Sequence, residues 1–133
     1  MSGSTISRYT LKNLADVDDS APKFGFEDSQ IARFANDDLK AQATGLSYHS
    51  VKAGKRQAFA HKHDKAEEVY VVLSGSGRLK LDDEIIDVSE LDAIRIAPGV
   101  TRQFEAGEQQ LDYLAFGPHH QGDGDLVKDW WTD

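Results

Sequence analysis

The chain has 133 residues and a formal net charge of −8, from 23 acidic and 15 basic side chains. This length indicates one domain with its own core, and the negative charge argues against nucleic acid or an anionic membrane as a partner. Because the chain has no cysteine, disulfides, thiolate metal sites and a cysteine nucleophile are excluded. With no basic segment followed by an apolar run at the N-terminus, we expect a cytoplasmic protein that binds a small molecule.

The chain divides into three predicted parts. Residues 1–28 are polar and rich in turn-forming residues, which predicts an irregular N-terminal segment. Residues 29–117 predict a domain of short strands separated by turns, a spacing typical of a small antiparallel sandwich or barrel. Its predicted strands are Ile31–Ala35, Gly45–Val51, Gln57–His63, Val69–Leu73, Gly77–Leu81, Glu84–Val88, Ala93–Ile96, Arg102–Glu105 and Leu111–Phe116.

Residues 118–133 predict a C-terminal tail that leaves the last strand without regular structure. Trp130 and Trp131 are adjacent indoles in a polar stretch and are costly to leave in water. We therefore expect the tail to fold back on the barrel or onto a partner subunit.

Two histidines and a glutamate form the most informative pattern. His61 and His63 are one residue apart on a predicted strand, so they project from the same side. Glu68 stands at the entry of the next strand, which returns antiparallel after a short loop. Two imidazoles and a carboxylate then converge, which suits a divalent transition metal such as iron, manganese, nickel or zinc.

The same residues carry a family resemblance. His61, His63, Glu68 and Gly75 resemble the first motif of the cupin superfamily, a His-x-His followed by a glutamate and a glycine, and residues 91–104 resemble the second motif. The resemblance is to small bacterial-type cupins with a single conserved barrel. It implies an all-β, single-domain, double-stranded β-helix, a jelly-roll barrel whose mouth holds the site. It also implies a homodimer, since an open sandwich leaves edges that need cover.

Arg102 stands where the resemblance places a fourth metal ligand, a histidine. A guanidinium is always protonated and has no lone pair for a metal. At roughly 5 Å and an effective dielectric of about 20, it repels a divalent ion by about 6 kcal/mol. Two arrangements stay open: a metal on His61, His63 and Glu68 with Arg102 binding an anionic substrate group, or a metal-free site in which Arg102 pairs with Glu68.

Further side chains are candidates for ligand binding. Phe59, Tyr70 and Phe104 share interior-facing positions with the polar cluster, so we expect them to form an apolar wall, with core packing as the alternative role. His49 is a candidate ligand-binding residue or base, although a lone strand histidine is more often structural.

Three functions remain open at this point. The first is a metal-dependent oxygenase or isomerase acting on a small anionic molecule. The second is a metal-free cupin that binds a small anionic or sugar-like ligand through Arg102, as a sensor or storage module. The third is a structural dimerisation module.

Overall fold

The computed structural model describes residues 8–118 and 123–133, so parts of the predicted N-terminal segment and tail lie outside the described residues. Within these ranges the chain forms ten strands and one short helix, α1 (Asn36–Leu39). The strands β1 to β10 are, in chain order, Gln30–Phe34, Thr44–Val51, Ala60–His63, Glu68–Ser74, Ser76–Leu81, Glu84–Ser89, Ala93–Ile96, Arg102–Ala106, Leu111–Pro118 and Gly124–Val127.

The strands form two antiparallel sheets with the orders β1-β2-β9-β4-β7 and β10-β3-β8-β5-β6. Apolar side chains from both sheets meet in a buried core that includes Val51, Val72, Leu79, Phe104 and Leu111. Period-two alternation explains this arrangement, because every second side chain of a strand points to the same face. The architecture is the all-β jelly-roll barrel that the sequence predicts.

Each predicted strand corresponds to one of β1 to β9, and the largest shift is at β3. The sequence predicts a strand from Gln57, whereas β3 begins at Ala60. The amide of Gln57 turns inward, where its Nε2 donates to Tyr113 Oη at 2.6 Å and its Oε1 accepts from the backbone N–H of Phe104 at 2.9 Å. The backbone N–H of Gln57 still donates to the carbonyl oxygen of Phe104 at 3.0 Å. That of Ala58 donates to the side chain of Gln30 at 2.9 Å, so regular pairing begins only at Ala60.

The prediction of an irregular tail is wrong at Gly124–Val127, which forms strand β10. Gly124 and Asp125 have low strand propensity, so the sequence carries no strand signal there. The segment nevertheless pairs antiparallel with β3, in a register that places Gly124 opposite His63 and Leu126 opposite His61. The open edge of β3 supplies backbone partners, and this tertiary contact outweighs local propensity.

The N-terminal segment packs against β1. Val17 and Ala21 are buried, and the carboxylate of Asp19 accepts hydrogen bonds from the backbone N–H groups of Ala21 and Ala32. Short 3-10 turns at Leu14–Asp16 and Pro22–Phe24 shape the segment. It therefore follows the sheet closely enough to contribute to the site described below. None of the helices in the described ranges has the length and apolar character needed to cross a membrane.

The indole of Trp131 packs the end of the tail against the barrel. Trp131 is buried, with the guanidinium carbon of Arg56 4.2 Å and that of Arg78 5.2 Å from its ring centroid. Both arginines bind Glu105, at 2.7 and 2.8 Å. Burial disfavours the charged carboxylate, but the hydrogen bonds from the two arginines prevail and lower the pKa of Glu105.

Truncation of this indole is expected to destabilise the fold. Trp131→Ala removes a buried ring and two cation–π contacts, so we expect a loss of about 3 kcal/mol in the free energy of unfolding. Trp130→Ala is the matched control, because Trp130 is less buried and contacts Lys80 at 4.6 Å; we expect a loss of about 1 kcal/mol or less. Urea unfolding of both variants measures the difference, and equal losses would contradict the assigned role of Trp131.

Glycine is required at position 75, in the first motif, because another segment of the same chain passes close to it. Its φ is +81°, and a Cβ at this position would lie 2.1 Å from the carbonyl oxygen of Gln110. Gly54 also has a positive φ, +72°, but a Cβ there meets nothing within 4 Å. An alanine at position 54 would therefore meet backbone strain alone, whereas an alanine at position 75 would meet both backbone strain and a steric clash.

Gly75→Ala is expected to cost about 3 kcal/mol, whereas Gly54→Ala should show only the backbone strain of about 1 to 2 kcal/mol. Denaturant unfolding of the pair tests the comparison. If the two substitutions cost the same, the approach of Gln110 is not what requires glycine at position 75.

Candidate metal and ligand site

The predicted cluster lies between the two sheets. His61 and His63 project from β3, and Glu68 projects from the first residue of β4 on the other sheet. One nitrogen of each imidazole and one carboxylate oxygen all lie within 4.8 Å of one another. His61 Nε2 is 3.7 Å from Glu68 Oε1, and His63 Nε2 is 3.6 Å from Glu68 Oε2. Three donor atoms of the type that binds divalent transition metals therefore converge.

Arg102 is tied to the same carboxylate. Its side chain is 1% exposed, and its Nη2 donates to Glu68 Oε1. Its Nε donates to Tyr70 Oη at 3.0 Å, and its Nη1 donates to the backbone oxygen of Val100 at 2.9 Å. The guanidinium is thus held by three partners, and its pairing with Glu68 is that of the second arrangement left open by the sequence, in which the fork is not free for an anionic substrate group.

Tyr70 connects the arginine to the histidines. Its hydroxyl lies 3.2 Å from Glu68 Oε1 and 3.1 Å from His61 Nε2. Since this hydroxyl accepts the hydrogen bond from Arg102, its single proton is available to either Glu68 or His61. The four side chains form one continuous polar network.

Asp123 is a site residue that the sequence reasoning missed. Its carboxylate lies 3.6 Å from His63 Nδ1 and accepts hydrogen bonds from the backbone N–H groups of Lys65 and Ala66 at 2.8 and 3.0 Å. A carboxylate beside the second nitrogen of an imidazole fixes the ring orientation and makes the first nitrogen a better ligand. The sequence reasoning had no signal for Asp123, because this residue precedes β10, a strand that propensity does not predict.

Electrostatics set the protonation states of the cluster. Burial opposes the ionised form of Glu68, but the hydrogen bond with His61 and the charge of Arg102 prevail and lower its pKa to about 2. Burial lowers the pKa of His61, so its imidazole is neutral at pH 7. A neutral imidazole and an ionised carboxylate are the forms that bind metals.

The cluster opens into a cavity of about 400 Å³. Its walls come from both sheets, from the N-terminal segment and from β10. Phe59 and Tyr70 line it as the sequence predicts, whereas Arg102 and Phe104 lie behind the wall. Phe104 instead packs in the core against Tyr113, with ring centroids 4.2 Å apart.

His49 also lines the cavity and is buried. Its ring stacks on Tyr113 at a centroid distance of 4.9 Å, and its Nε2 lies 2.8 Å from Ser47 Oγ. Its Nδ1 is buried and has no hydrogen-bond partner among the described residues. Burial lowers the pKa of His49 to about 4, so this residue is a neutral polar group in the wall.

The fold and site together define a jelly-roll protein with an interior cavity and a candidate metal cluster. The chain belongs to the cupin domain family, whose model matches residues 47–116, just over half of the chain. The matched segment contains the whole His61, His63 and Glu68 cluster.

Individual relatives support the same placement. The chain is 32% identical over 71 residues to an uncharacterized protein of Methanocaldococcus jannaschii, a match that covers 51% of this chain and only 57% of that protein. A polyketide cyclase from Streptomyces resistomycificus is 23% identical, with 89% of this chain and 84% of that chain covered and a TM-score of 0.73. Oxalate decarboxylase from Bacillus subtilis is 21% identical, with 95% and 34% covered and a TM-score of 0.76. At these identities, the two structures show a shared fold.

Proposed function

We propose that the chain is a metal-dependent cupin enzyme, an oxygenase or isomerase, whose ion is held by His61, His63 and Glu68. The observation that carries the proposal is the convergence of three donor atoms of correct type within 4.8 Å. Two structural neighbours, named as a cyclase and a decarboxylase, show that this fold hosts small-molecule chemistry.

The donor atoms of the site fit such an ion, and the positive charge of Arg102 opposes it. The donor set is two imidazoles and a carboxylate, and Asp123 is placed to orient His63. The charge of Arg102 weakens cation binding, but the same guanidinium holds Glu68 in its ionised form. A bound divalent ion supplies Lewis-acid activation of a substrate oxygen or of water.

The chain's own residues position the cluster. The hydroxyl of Tyr70 lies 3.1 Å from His61 Nε2 and 3.2 Å from Glu68 Oε1, so its hydrogen bond orients one of these two side chains. His49 provides a second polar contact, removed from the cluster and next to Ser47.

Elemental analysis tests the proposal. Protein purified without a chelator or an affinity-tag metal is expected to hold one divalent ion per chain, with iron, manganese, nickel and zinc as the candidates. His63→Ala should lose the ion, while Glu67→Gln should retain it, because Glu67 pairs with Arg95 on the surface. Metal-free protein that also takes up none of the four ions on titration would overturn the proposal.

A second function rests on the ion pair between Arg102 and Glu68. That pair lets the guanidinium supply the positive charge, and the cavity then binds its ligand without a metal, as in a sensor or storage protein. Ligand binding that persists in chelator-treated protein, with no ion taken up, distinguishes this function from the first.

The homodimer and the cytoplasmic location stay predictions. The described sheets end at β1, β7, β10 and β6, and these edges are the candidate surfaces for a second copy. Light scattering at micromolar concentration measures the mass; a monomer would count against the dimer.

A further inference from the structure

Aromatic rings form one side of the cavity. Phe24 and Phe26, from the N-terminal segment, have ring centroids 5.9 Å apart in a stacked arrangement. Phe26 meets Phe59, just before β3, edge-on at 4.8 Å. All three line the cavity. They form an aromatic row that the family motifs do not include.

A second aromatic row comes from the other sheet. Phe34 of β1 meets His49 of β2 edge-on at 5.5 Å, and His49 stacks on Tyr113 of β9 at 4.9 Å. These three rings also line the cavity. Both rows therefore line the same cavity, and a lining so rich in aromatic rings favours a flat, apolar ligand.

The mouth of the cavity leaves apolar surface exposed. Phe24 is 63% exposed, Phe34 55% and Leu126 67%, and all three are among the lining residues. Exposed apolar side chains clustered at a cavity mouth are typical of a ligand-binding site. An apolar ligand would cover them.

The charges of the wall disfavour an anion. Among the described lining residues, Glu68 and Asp125 are acidic and none is lysine or arginine. Arg102 lies behind the wall with its donors bound to Glu68, Tyr70 and Val100. Lys128 is beside the cavity, with its ammonium 5.7 Å from the Phe59 ring centroid, but it is not part of the lining.

Several polar side chains of the wall already have hydrogen-bond partners within the protein, with His49 Nδ1 as an exception among the described residues, and this disfavours a sugar. Gln57 uses its amide on Tyr113 and on a backbone N–H, and Gln30 Oε1 accepts from the N–H of Ala58. Ser47 is bound to His49. A polyhydroxylated ligand would leave most of its hydroxyl groups without partners, at a cost for each one buried.

We infer that the cavity binds an uncharged, planar aromatic molecule, with its rings against the aromatic rows and any hydroxyl or carbonyl group directed toward His61, His63 and Glu68. This assignment rests on the proposed function for the reaction, but binding of the rings does not require the ion. It replaces the small anionic or sugar-like ligand that the sequence predicts.

Three probes test the ligand class by calorimetry on chelator-treated protein at pH 7. We expect 2-naphthol, which is neutral, to bind at least about tenfold more tightly than 2-naphthoate, which has the same rings and a negative charge. Glucose should show no binding. Tighter binding of naphthoate than of naphthol would overturn the inference and assign Arg102 or Lys128 to an anion.

Variants locate the binding. Phe24→Ala and Phe34→Ala should each weaken naphthol binding about tenfold. Phe116→Ala is the matched control, because Phe116 is 36% exposed and lies outside the cavity, and it should leave the affinity unchanged. If the aromatic substitutions instead convert a dimer to a monomer without changing naphthol affinity, a second copy of the chain covers the mouth and the inference is wrong.

The outcomes separate this inference from the proposed function. If the protein binds naphthol but takes up no metal, only the proposed metal-dependent activity is wrong. If it takes up metal but does not bind naphthol, only the inferred ligand class is wrong.

Discussion

Arg102→His is expected to raise the affinity for zinc or nickel by at least about a hundredfold. The substitution removes a buried positive charge that contacts Glu68 and adds an imidazole at β8, opposite His61 in the strand register. Loss of a neighbouring charge and gain of a nitrogen donor both favour cation binding. Calorimetric titration of chelator-stripped samples of the two proteins measures the change.

The control is Arg95→His, which removes an arginine of equal charge that pairs with Glu67 on the surface. The side chain of Arg95 is 64% exposed, so solvent and salt screen its charge, and its replacement should change metal affinity by less than about threefold. If Arg102→His binds metal no more tightly than the parent protein, the guanidinium is not what limits cation binding at this site.

Glu68→Gln is expected to lower the free energy of unfolding by about 3 to 5 kcal/mol in metal-free protein. The substitution leaves the guanidinium of Arg102, which is 1% exposed, without its charged partner. Removing one member of a buried ion pair leaves the other charge uncompensated in a medium of low dielectric. Chemical denaturation of the chelator-treated variant measures the loss.

Two further variants test this explanation. Glu67→Gln, at the adjacent position, breaks an exposed pair and should cost about 1 kcal/mol or less. The double variant Glu68→Gln with Arg102→Met removes both buried charges and should recover part of the loss, giving a favourable coupling energy in a double-mutant cycle. Additive losses would show that the two side chains act on stability independently.

Local patterns were sufficient to predict the frame of the site. Alternation of apolar and polar residues placed the strands β1 to β9, and the spacing of His61, His63 and Glu68 predicted their convergence. Both inferences depend on the period-two geometry of a strand, which is a property of the chain near each residue. Gly75 was recognisable as part of the motif, and the structure adds that its φ is positive.

Other features depended on contacts between distant parts of the chain. Strand β10 exists because the edge of β3 was open, and this pairing brings Asp123 to His63. The N-terminal phenylalanines reach the cavity only because their segment packs against β1. Long-range pairings of this kind leave no periodic signal in the sequence.

The role of Arg102 shows the same division most clearly. The sequence by itself determined that a guanidinium, and not an imidazole, stands at the fourth position, and hence that this side chain is no metal ligand. Only the tertiary structure decided where its charge goes. Glu68 and Tyr70 come from β4 on the other sheet, Val100 comes from the loop just before β8, and together they bind the guanidinium behind the cavity. A buried charge takes the partners that packing brings within reach, and strand periodicity does not specify them.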